Sequence, residues 1–215
     1  GSGMIHTNMA TMLAFTSTDA NVNAAFLQET LSRAVKLTFN QIDVDGDQST
    51  NDTVLLMANG VAGGSEISGG DEASDTFADA VLQVCRHLAI EIARDGEGAT
   101  KLIEVTVEGA QSDDDALKAS RACAASMLVK TAVYGRDPNW GRVMMALGRS
   151  GIDFMESQVD VFINDIHIVH EGKSIPYLVD AVVSAMNVDE VQIRANINAG
   201  NATATSWGCD LTEEY

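Results

Sequence analysis

The chain has 215 residues and is 46% hydrophobic, enough to fill a substantial core, which argues against a disordered chain. Thirteen Lys and Arg stand against 31 Asp and Glu, a formal charge of −18, so phosphate backbones and anionic lipid surfaces are repelled and are poor partners. No apolar run reaches membrane-spanning length and the N-terminus lacks the regions of a signal peptide, which points to the cytoplasm. The three scattered cysteines, Cys85, Cys123 and Cys209, then read as reduced core residues.

Residues 21–39 place Leu27, Leu31, Ala34 and Val35 on one stripe, with Thr18 or Asp19 at the N-cap position, and predict an amphipathic helix. "QIDV" predicts a short strand ending in the turn "DGD", and the continuous apolar run of "TVLLMANG" predicts a strand buried on both faces. The glycine-rich stretch 59–72 reads as an exposed loop. Phe77, Val81, Val84, Cys85, Leu88 and Ile92 then recur at helical spacing as far as Asp95-Gly96. In "KLIEVTVEG", Ile103, Val105 and Val107 alternate with Glu104, Thr106 and Glu108, the pattern of a strand with one wet face.

A third helix begins at Asp113-Asp114-Asp115, whose carboxylates complement its dipole, and is expected to continue through Met127. "YGRDPNWGRVMMALG" predicts a turn and a short helix, and "QVDVFINDIHIV" a hairpin across Asn164-Asp165. Residues 174–186 read as a helix and "VQIRANIN" as a strand. Helices and strands interleave throughout, so the expected fold is a single α/β layered domain with a mixed sheet.

Several stretches carry candidate chemistry. In "DVDGDQSTNDTV", Asp43, Asp45 and Asp47 match the first ligands of a calcium loop, but Gln48 and Val54 stand where glycine and glutamate belong. A polar turn wired by side-chain to backbone bonds is the better account. The loop at 59–72 has neither the lysine ending nor the glycine spacing of a nucleotide cradle. His167 and His170 are three apart on an expected strand, where they would point to opposite faces, so a shared metal is disfavoured. Glu97, between Gly96 and Gly98 past a helix end, stands where a carboxylate can reach a ligand, although a solvated turn glutamate explains it as well.

Thr11, in "MATML", is a poor nucleophile without an adjacent base, and the nearest base is its own amino group, which is free only if the chain is cut before it.

Five segments, "GSGMIHTNMATMLAFTSTDA", "VDGDQSTNDTV", "DGEGATK", "GRDPNWGRVMMALG" and "WGCDLTEEY", together resemble the ornithine acetyltransferase family, also called glutamate N-acetyltransferase, of the arginine pathway. The resemblance runs through the whole chain in the family's order. It implies self-cleavage between Ala10 and Thr11, with residues 1–10 as the tail of an α chain and 11–215 as a β chain of the self-processing α/β type. It further implies an acetyl-threonine ester on Thr11 and substrate contact by Glu97. Expected substrates are N-acetylornithine, ornithine and glutamate, with acetyl-CoA as an alternative donor, no metal or other cofactor, and an α2β2 heterotetramer as the assembly. The family's oxyanion donors, a Thr-Gly pair, belong to the α chain, and its C-terminal asparagine and threonine are expected beyond Tyr215. Two other readings are a threonine-nucleophile amidohydrolase or aminopeptidase, which passes the acyl group to water, and a non-catalytic acidic module binding calcium through residues 43–52.

Overall fold

The computed structural model describes residues 3–6, 12–48 and 51–215. Its described elements form four layers: a two-stranded sheet, a helix pair, a seven-stranded mixed sheet and a second helical layer. The expected layered α/β fold with a mixed sheet is the one observed.

Strand β1 (Leu13–Thr18) is followed by helix α1 (Ala24–Leu37). The N-cap is Asn23, whose side chain accepts from the amides of Ala25 and Phe26, and not Thr18 or Asp19 as expected, because β1 already occupies Thr18. Strand β2 is only Ile42–Asp43, and β3 (Thr53–Ala58) pairs in parallel with β1. The expectation that "TVLLMANG" is buried on both faces fails here. Among the described residues the β1/β3 pair has helices on one side only, leaving Leu13, Phe15, Leu55 and Met57 between 43% and 62% exposed on the other.

Helix α2 (Glu72–Arg94) lies beside α1, capped by Asp71. Strand β4 (Leu102–Ala110) sends Ile103, Val105 and Val107 into the core and keeps Glu104, Thr106 and Glu108 half-buried, as its alternation predicts. The third helix is split, α3 (Asp113–Ala124) ending before Ser126, which caps a separate α4 (Met127–Tyr134). Helix α5 (Trp140–Gly148) falls within its predicted segment.

The hairpin is β5 (Asp160–Ile163) and β6 (Ile166–His170), with Asn164 and Asp165 both at positive φ as a two-residue turn of this hand requires. A short β7 (Lys173–Ser174), α6 (Val179–Ala185), β8 (Glu190–Asn196) and β9 (Ala202–Cys209) complete the described chain. The large sheet runs β2-β9-β4-β8-β5-β6-β7, so β9 lies between β2, its parallel neighbour, and β4, its antiparallel one.

One apolar cluster fills the space between this sheet and α3, α5 and α6. The other lies under α1 and α2 and reaches β1, β2 and the C-terminal end of β9. No described helix is long and apolar enough to cross a membrane.

Candidate active site

Four of the five motif segments meet at the β2 end of the large sheet. The start of the chain lies along the turn after β2: Val44 N donates to Ile5 O at 2.6 Å, and His6 forms an antiparallel bridge with Asp43. Asp45 accepts from Met4 N, from Ile5 N at 3.2 Å and from the Tyr215 hydroxyl at 2.9 Å. The acidic turn is therefore wired to protein donors, as the side-chain to backbone reading expected, and Asp43 and Asp45 are taken up by that wiring.

Asp43 is fully buried. Its Oδ1 meets His6 Nδ1 at 2.6 Å and accepts from Gly46 N, while Oδ2 lies 2.9 Å from Lys130 Nζ, an ion pair outside ideal hydrogen-bond angles. Burial alone would raise the Asp43 pKa, but the His6 hydrogen bond and the Lys130 ammonium outweigh it and hold the carboxyl below its ordinary value. Lys130 also donates to the carbonyls of Asp43 and Cys209, both at 3.1 Å, so a lysine 1% exposed has its ammonium satisfied at the floor of the site.

Glu97 is exposed and sits against the chain start. A Cβ on Gly3 would lie 2.8 Å from Glu97 Oε2 and 3.0 Å from Asp45 Oδ2, so a side chain there would push the two carboxylates aside. The glycines beside Glu97 are more tightly constrained. A Cβ on Gly96 would stand 2.7 Å from Cys209 Sγ, and Gly98, at φ +65°, would meet Tyr215 N at 2.9 Å. The C-terminal segment holds this loop: Asp210 Oδ1 accepts from Thr100 N and Lys101 N at 2.8 Å each, and the Thr212 hydroxyl donates to Gly98 O at 2.7 Å. The Tyr215 hydroxyl is pushed up to about 12, first by desolvation and then by its bond to Asp45 and the nearby Glu97, so it remains a donor.

Ala10 and Thr11 lie outside the described residues. Met12, the next residue, is anchored on both backbone groups, its N donating to Asp52 Oδ1 at 2.7 Å and its O accepting from Thr53 N at 2.9 Å. Beside it opens a cavity of about 290 Å³, lined by Met12, Asp52, Gln28, Ser32 and Asn40 among others, close to the lower end of small-molecule sites. Glu97 does not line it. The fifth segment, with Trp140 and Arg142, packs away from this centre on α3 and α4, where Arg142 donates to Leu128 O at 2.8 Å. Sequence reasoning did not single out Lys130, although a lone lysine inside "MLVKTAV" was its available signal.

His167 and His170 depart from expectation. A bulge shifts the β5/β6 register between Val161↔Val169 and Phe162↔His167, so the consecutive Ile168 and Val169 both enter the core and the two histidines come together over Asp160. The cysteines are free and buried, and burial pushes the Cys123 thiol up to about 12.

Fold and site define a layered α/β domain whose polar centre is assembled from its two chain ends and two loops. The family model described as "ArgJ family" matches residues 1–215, and the chain belongs to that family. It is 53% identical over 215 residues to "Arginine biosynthesis bifunctional protein ArgJ" of Symbiobacterium thermophilum and 47% to the protein of the same name of Lactococcus lactis. In each case all of this chain and 54% of the relative are covered. The chain thus spans about half the length of the curated relatives it matches. A crystal structure of arginine biosynthesis bifunctional protein argJ from Bacillus halodurans superposes with a TM-score of 0.93 at 42% identity, covering 95% of this chain and 97% of that one.

Proposed function

We propose that this chain is the catalytic β chain of an acetyltransferase of arginine biosynthesis, moving an acetyl group from N-acetylornithine to glutamate through an ester on Thr11. The observation that carries this reading is the separate anchoring of the backbone on either side of Ala10-Thr11: residues 4–6 on Asp43, Val44 and Asp45, and Met12 on Asp52 and Thr53. A cut between them leaves the upstream side anchored through residues 4–6 and the downstream side through Met12. A solved chain almost coextensive with this one, beside curated relatives nearly twice as long, supports a division into pieces of about this length.

In the cut, the Thr11 hydroxyl attacks the Ala10 carbonyl, the acyl group passes from nitrogen to oxygen, and water hydrolyses the ester, leaving an Ala10 carboxylate and a free Thr11 amine. That amine, with an unperturbed pKa of roughly 7.7–8.0, accepts the hydroxyl proton as Thr11 attacks the acetyl carbon of N-acetylornithine. Ornithine leaves with the proton, and the amine of glutamate then takes the acetyl group from the ester. Glu97, exposed beside a second carboxylate on Asp45, is proposed to receive the ammonium of ornithine.

Residues 1–10 belong, in this reading, to an α chain that also supplies the oxyanion donors. The apolar outer face of the β1/β3 pair is assigned to that α chain in an α2β2 assembly, since a two-stranded sheet with one side bare is marginal on its own. Three free thiols fit a reducing cytoplasm.

Intact mass and N-terminal sequencing of the full-length protein are expected to show a terminus at Thr11, and Thr11→Ala to remain uncut and without N-acetylglutamate formation. Acetyl transfer by uncut wild type would overturn the mechanism, and free acetate without N-acetylglutamate would point to an amidohydrolase. Acetyl-CoA is assayed alongside as an alternative donor.

A further inference from the structure

The sheet face that α2 leaves uncovered carries a cluster with no part in the proposed acyl transfer. Asp160 Oδ1 lies 2.8 Å from His170 Nδ1 and 3.7 Å from His167 Nε2, and one ligand atom from each of the three residues falls within 4.8 Å of the others. Ligands on a tetrahedral ion with bonds of about 2.0–2.2 Å stand roughly 3.3–3.6 Å apart, so these separations bracket the spacing required. Among the described residues this is the one group of three or more His, Cys, Asp or Glu so placed.

A second observation points the same way. His167 Nε2, turned toward Asp160, is shut off from solvent and has no hydrogen-bond partner among the described residues, a condition that native structures avoid unless something meets the nitrogen. The ring has little freedom to seek another partner. Phe162 stacks on it at 4.2 Å between centroids and 15° between planes, and Phe162 in turn carries the Arg194 guanidinium 3.8 Å from its ring centre. The carboxylate is oriented as well, with Asn198 Nδ2 donating to Oδ2 at 3.3 Å and Glu171 N to Oδ1 at 3.0 Å, the outer support that metal ligands ordinarily have.

We infer that Asp160, His167 and His170 bind a zinc ion, with water as the fourth ligand on the side where His170 is half exposed. Two imidazoles and one carboxylate select zinc over calcium or magnesium, which prefer all-oxygen shells. His170 gives Nδ1 to the metal by taking the tautomer protonated at Nε2, and the ion ties β5 to the far side of the bulge in β6.

Calorimetric titration of the chelator-treated full-length protein with zinc chloride is expected to show one ion bound per copy of this chain at micromolar zinc. His170→Ala, at an exposed position, and His167→Ala should each weaken binding by at least about a hundredfold, and Asn198→Ala by roughly tenfold, with circular dichroism confirming that the variants fold. Anomalous diffraction at the zinc edge should place the peak among the three side chains. A silent titration, affinity unchanged in both histidine variants, or a peak elsewhere overturns the assignment.

Discussion

His6 on one oxygen of Asp43 and Lys130 on the other hold the buried carboxylate, and Asp43 in turn offsets the buried Lys130 charge. Asp43→Asn or Lys130→Met alone should cost about 3–5 kcal/mol, and the double variant should recover much of that loss, measured by urea unfolding. The pH sign follows from the lowered Asp43 pKa. Its stabilising effect is fully present above the unfolded value near 3.8 and is lost as pH falls through the lower folded value, so wild type and Asp43→Asn should begin to approach each other in stability only below about pH 4 and meet below the folded value. Gly98→Ala forces a side chain onto a positive φ and into Tyr215 N, and should cost more than about 1 kcal/mol and raise amide exchange across residues 210–215. Glu97 drew notice in the sequence because its flanking glycines are local. Lys130 did not, because its partners come from Asp43 and Cys209, far away in the chain.

At the scale of elements, periodicity located helices and wet-faced strands well and their boundaries poorly. The cap of α1 is a clear case: Asn23→Ala should lower thermal stability by about 1 kcal/mol, whereas Asp19→Ala should stay within about 0.5 kcal/mol. The break at Ser126 was hidden because apolar spacing continues across it. The bulge in β6 was invisible for a deeper reason. It adds one residue against a partner strand, and strand alternation read from one segment knows nothing of its partner. Strand β9 was not foreseen because "ATATSWGC" is mostly small and hydroxylated, suited to a crowded position between two neighbours and poor in apolar contrast.

For the whole molecule, the layered α/β class followed from the interleaving of patterns, but which strand borders which depended on long-range pairings that no local window contains. The same holds for β3, whose apolar run was legible while its bare side was not. If the proposed α chain covers that side, Phe15→Glu combined with Leu55→Glu should leave the circular dichroism of this chain intact and abolish its co-purification with the α chain. Retained co-purification would place the α chain elsewhere.

The position of β9 sets a clock. In the large sheet, β2 stands at the edge beside β9, so among the described strands Ile42 and Asp43 gain their parallel neighbour when Ala202–Cys209 arrives. On a ribosome adding about 5–20 residues per second, that arrival trails Thr11 by roughly 10–40 s. If the proposed scission at Ala10-Thr11 needs that pairing, it waits for residues 202–209, and a nascent chain arrested before residue 202 should stay in one piece.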